Sequence, residues 1–122
     1  HSLEGPYGMI IYADQQVDSE FIGKRARLRD LLSSSGYDVA SVNFAKSEFD
    51  NSFDEYLHKE IGYPTLTSLT FGLFNNAYAV TSLREYFASG FEEYFLGDRD
   101  LLNTISPALF NKIQEIVLDG EL

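Results

Sequence analysis

The chain has 122 residues, 44% of them hydrophobic, with ten Phe, eight Tyr and no Cys. That length suits one domain able to bury roughly two-thirds of its unfolded surface, and the missing cysteines exclude disulfides and thiolate ligands. Nineteen acids against nine bases give a net charge of −10, which argues against a nucleic-acid partner, and no apolar run nears the ~20 residues that span a bilayer.

The first residues hold Gly5, Pro6 and Gly8 and read as irregular, without the basic start and long apolar centre of a signal peptide; localisation stays open. Met9-Ile10-Ile11-Tyr12 is a short apolar run, a buried strand or a core segment. Asp18 or Ser19 is expected to cap a helix running to about Ser34, with Phe21, Leu28, Leu31 and Leu32 on one face. Gly36 is placed to end it in a left-handed conformation. Tyr37, Val39, Val42, Phe44 and Phe49 follow without helical spacing, as an extended connection over residues 37–51.

From Ser52 the pattern is helical almost throughout. Ser52-x-x-Glu55 forms a capping box before Tyr56, Leu57 and Ile61, and Gly62 stops that helix. Pro64-Thr65 opens another, with Leu66, Leu69, Leu73 and Phe74 on one stripe, and Asn75-Asn76 signals a turn. A helix from Ser82 carries Leu83, Phe87, Phe91 and Tyr94 and closes at Gly97-Asp98. Ser106-Pro107 places a cap before proline at the first helical position, with Leu109, Phe110, Ile113, Ile116 and Val117 behind it. Residues 1–122 therefore read as a single, mainly α domain, α+β at most. Four of the nine bases, Lys24, Arg25, Arg27 and Arg29, cluster in the first helix; a solvated face paired with the many acids is the expected use.

Glu85 lies in the first turn of its helix, where the backbone dipole favours an ionised carboxylate. Such a group serves as a metal ligand, and Ser82-x-x-Glu85 is equally a capping box that needs no metal. Glu92 shares its face two turns on and offers a group to orient a ligand, or a solvated side chain. Tyr78, seven residues before Glu85, offers a phenol donor for an oxyanion, or an ordinary half-buried tyrosine. A metal would have to be held by His, Asp or Glu. With only His1 and His58 present, a three-histidine site within the chain is impossible.

Glu85-Tyr86-Phe87-Ala88-Ser89-Gly90-Phe91, with Tyr78 seven residues earlier, resembles the catalytic domain of the anthrax lethal factor family. These are zinc metallopeptidases of zincin-type fold, in which a glutamate within E-[FY]-F-A-x-x-F is the third zinc ligand and a tyrosine seven residues ahead assists catalysis. The residues around this core, roughly 49–117, look like members found in bacterial and phage proteins. The resemblance implies Glu85 as zinc ligand, Tyr78 as transition-state donor and a peptide or protein as substrate.

The family's H-E-x-x-H helix, which supplies two histidines and the water-activating glutamate, is missing between residues 2 and 77. Lys59-Glu60-Ile61-Gly62-Tyr63 copies its outline with Lys59 and Tyr63 where histidines belong, and a protonated lysine does not bind zinc. His1 fits the second histidine of H-E-x-x-H-S-L-E, and equally the last residue of a purification tag. The expectation is the C-terminal part of a zinc endopeptidase, inactive as this isolated chain because the motif is incomplete. A non-catalytic helical interaction or structural module derived from that fold is the alternative.

Overall fold

A computed structural model describes residues 15–46 and 48–118, and the described residues form helices and turns with no strand. The helices are α1 (Gln15–Ser34), α2 (Asn51–Glu55), α3 (Tyr63–Thr70), α4 (Leu83–Leu96), α5 (Arg99–Ile105) and α6 (Pro107–Leu118). A π-helical turn, Tyr56–Ile61, continues α2, and a 3-10 turn, Ala77–Val80, precedes α4. The mainly α reading holds. His1 and the apolar run Met9–Tyr12 lie outside the described residues.

α1 buries Val17, Phe21, Leu28 and Leu32, a stripe at helical spacing, and packs on α3, α4 and α6. Two expectations for this helix fail. Asp18 and Ser19 sit inside it rather than at its start, because the helical pattern runs back to at least Gln15. Leu31, one position off the buried stripe, is 42% exposed. Gly36 does take positive φ, +94°, and the Tyr37 amide returns to the Leu32 carbonyl at 3.0 Å, closing the helix in the left-handed way glycine permits.

The connection to α2 is irregular rather than extended. Asp38 and Asn43 each accept a hydrogen bond from the amide two residues on, at 3.1 and 2.9 Å, the local turn chemistry of these side chains. Phe44 alone of the connection's five large apolar residues is buried, edge-on to Phe53. α2 is capped by Asp50, which accepts from the Ser52 and Phe53 amides; the expected Ser52 cap lies within the helix instead. An aspartate two residues earlier outcompetes the serine because its charged oxygen serves two amides.

α4 packs on the 3-10 turn, α5 and α6. Ser82 caps it as expected, accepting from the Glu85 amide at 3.1 Å, and its inner face buries Leu83, Tyr86, Phe87, Gly90 and Tyr94. Pro107 opens α6 as read, but the Ser106 hydroxyl accepts from the Lys24 ammonium. The amides of Ala108 and Leu109 are taken instead by Glu20 of α1, at 2.7 and 3.2 Å. A carboxylate there also meets the positive end of the α6 dipole.

Candidate functional site

Tyr78 and Glu85 line one open cleft of about 430 Å³. Glu85, Ser89 and Glu92 form one wall, at spacings of four and three along α4. Tyr63, Asn76 and Tyr78 form the other. The small Ala88 and Ser89 leave the floor between the two carboxylates low.

Each wall is locally fixed. Asn76 caps the 3-10 turn by accepting from the Ala79 amide at 3.0 Å, which holds Tyr78 in the turn's second position. The Thr81 amide and hydroxyl both donate to the Tyr78 carbonyl, at 3.1 and 2.9 Å, and Ser82 then starts α4. Three residues after Tyr78 the chain is therefore committed to the helix that carries Glu85. The Tyr78 side chain remains 52% exposed, with its phenol available to the cleft.

Ser82 meets Glu85 through the backbone amide, and among the described residues the Glu85 carboxylate makes no hydrogen bond or ion pair. The capping box is thus half made. The cap serine is engaged and the glutamate side chain is left to the cleft. Burial, and then the negative charge of Asp54, push the Tyr63 phenol upward, so it stays a neutral donor near neutral pH. The cleft lining offers two carboxylates as acceptors and two phenols as donors.

Among the described residues, no group of three His, Cys, Asp or Glu could hold a metal ion. The cleft wall carries two carboxylates, Glu85 and Glu92. His58 does not complete a set, but packs its ring against Tyr63 at 5.5 Å between centroids. Lys59, in the motif-like stretch, pairs with Glu55 at 3.9 Å on the π-helical turn, an ordinary surface contact.

Comparison with protein-family models, curated proteins and solved structures finds no match to this chain. No described helix is long and apolar enough to cross a membrane.

Sequence reasoning missed the polar interior of α1. Lys24 and Arg25, read as part of a solvated face, are 6% and 1% exposed; only Arg27 and Arg29 of that cluster face solvent. The signal was present, because positions 24 and 25 fall on the same helical stripe as Phe21 and Leu28. Lys24 donates to the Leu73 carbonyl and to Ser106, and burial pushes it down to about 8. A serine beside a lysine of lowered pKa is a nucleophile–base pair in chemical type, but Ser106 is fully buried. It has no route to a substrate and serves the core.

Proposed function

We propose that this chain is the C-terminal part of a zinc-dependent endopeptidase that hydrolyses peptide bonds. The observation that carries the reading is the shared cleft, with a carboxylate unpaired among the described residues on one wall and an exposed phenol on the other. Zinc, when bound in the complete domain, supplies activation of water for attack on a peptide carbonyl. Glu85 would be one of its ligands and His1 the second histidine of the motif. The first histidine and the general-base glutamate would come from sequence ahead of His1. With one ligand in the described cleft, the isolated chain is expected to be inactive.

Tyr78 would donate its hydroxyl to the oxyanion formed at the attacked carbonyl. Glu92, which lines the same cleft, would accept a hydrogen bond that orients a ligand. The substrate class is a peptide or protein laid along the cleft.

The second reading is a non-catalytic helical module that keeps the framework for an interaction or structural role. The place of Glu85 in the first turn of α4 favours it, since the helix dipole stabilises a carboxylate there without any chemistry. The two readings part on the coding sequence directly upstream of His1. If it encodes H-E-x-x, the protein extended by those residues should bind one zinc and hydrolyse a peptide library, with both properties lost in Glu85→Gln. Any other residues there, with no zinc retained by the extended protein, favour the module.

A further inference from the structure

Arg25 is buried, and among the described residues no ion pair holds it. Its guanidinium is spent on backbone. Nε donates to the Val80 carbonyl at 2.9 Å, Nη2 to the Thr81 carbonyl at 2.7 Å, and Nη1 to the Lys46 carbonyl at 2.6 Å. Its carbon lies 4.6 Å from the centroid of Phe21 and 4.2 Å from that of Phe53. Burial lowers its pKa to about 10, against the raising effect of Asp50, which leaves it charged at neutral pH.

A buried guanidinium is an expensive way to fill a core, since desolvation must be offset bond by bond. This one satisfies carbonyls with no ladder partner. Val80 ends the 3-10 turn and Thr81 precedes the Ser82 cap of α4, so these oxygens would otherwise be buried without a donor among the described residues. Because the fork is planar, binding two successive carbonyls fixes the orientation of both peptide units. Those two units are the joint between Tyr78 and the helix of Glu85.

We propose that Arg25 is the positioning residue of the cleft, setting through residues 80 and 81 where the Tyr78 hydroxyl stands relative to the Glu85 carboxylate. The catalytic consequence rests on the peptidase reading; the clamp rests on geometry alone. Among the described residues Arg25 makes no hydrogen bond to a cleft side chain and acts through the backbone that carries them. Lysine cannot replace it, because a single ammonium cannot hold carbonyls on both sides of the joint in one plane.

The test uses the full 122-residue chain with 3-fluorotyrosine placed at Tyr78 or, as a reference, at Tyr94, which packs on Phe110. In Arg25→Lys the circular dichroism and the Tyr94 fluorine resonance should hold while the Tyr78 resonance shifts and broadens. Should Arg25→Lys not fold, Phe53→Leu, which removes one ring from the guanidinium, should give the same selective change. An unmoved Tyr78 resonance in a folded variant overturns the clamp. In the protein extended upstream to a complete motif, Arg25→Lys should lower kcat roughly 10- to 100-fold with KM nearly unchanged. If the unsubstituted extended protein neither binds zinc nor cleaves peptide but the Tyr78 shift is seen, the peptidase reading falls and the clamp stands.

Discussion

The Glu20 carboxylate on α1 accepts the Ala108 amide at 2.7 Å, joining the first described helix to the start of the last across 88 positions. Its second oxygen accepts from the Leu109 amide and the Tyr86 hydroxyl. One side chain thus caps α6, satisfies a buried phenol and ties three helices together. Glu20→Ala should lower the unfolding free energy by about 2–3 kcal/mol, the loss of a cap together with an unsatisfied buried hydroxyl. Glu20→Gln should recover part of it. Urea denaturation of the two variants checks both the size and the order.

Lys24 gives a second test, through pH. Its pKa falls from 10.5 to about 8 in the folded chain, so between those values the unfolded chain binds more protons and stability rises with pH. Below pH 8 the cost of burying the ammonium is present in full. It is relieved progressively above that, by up to about 3 kcal/mol for a shift of this size. Tyr86 acts the other way, since burial and Glu20 raise its pKa. Above the ordinary tyrosine range, near pH 10, the unfolded chain ionises first and stability falls. The urea midpoint should therefore climb from pH 8 to about 10 and then turn down. Lys24→Met should flatten the climb and leave the fall.

The helices after Ser52 were legible because their caps and spacings are local. Ser82, Gly62 and Pro107 act within one turn of themselves, and the structure keeps each at a helix boundary. The failures are of two kinds. Asp50 outcompeted Ser52 for the cap of α2 from only two residues away, whereas at α6 the competition is long-range: Glu20 took the amides that Ser106 was expected to serve, while Ser106 turned to Lys24. Nothing near Ser106 in sequence announces a partner 82 positions away. The cleft was legible as a spacing, Tyr78 to Glu85. Its far wall, with Tyr63 and Asn76, was not, because those residues reach it by the packing of α3 on the 3-10 turn.

Gly90 marks where α4 comes closest to α6. A Cβ built there would fall inside van der Waals contact with the Leu109 side chain and 3.3 Å from Ile113 Cδ1. Both neighbours are buried, so neither can swing away into solvent. Gly90→Ala gains about 1 kcal/mol of helix propensity, but overpacking costs about 1–3 kcal/mol. The expected net result is a destabilised fold. Pairing it with Leu109→Ala, which vacates the contested space, should make the two changes less costly together than their sum. A double-mutant cycle by chemical denaturation reads that coupling directly.

The cleft residues should separate stability from chemistry. Tyr78 is half exposed, and the Glu85 carboxylate has no side-chain partner among the described residues. Tyr78→Phe and Glu85→Gln should therefore each stay within about 0.5 kcal/mol of the parent chain. Ser82→Ala, which removes the acceptor of the Glu85 amide, should cost about 1 kcal/mol as a lost cap. In the protein extended upstream through a complete motif, Glu85→Gln should release the zinc. Tyr78→Phe should keep the metal and lose roughly 10²- to 10³-fold in kcat, the usual cost of deleting one oxyanion donor. Metal analysis and peptide turnover on the same preparations give the two readouts. If Tyr78→Phe and Glu85→Gln change neither, these residues are surface positions on a helical module, and the dipole at the start of α4 accounts for the glutamate.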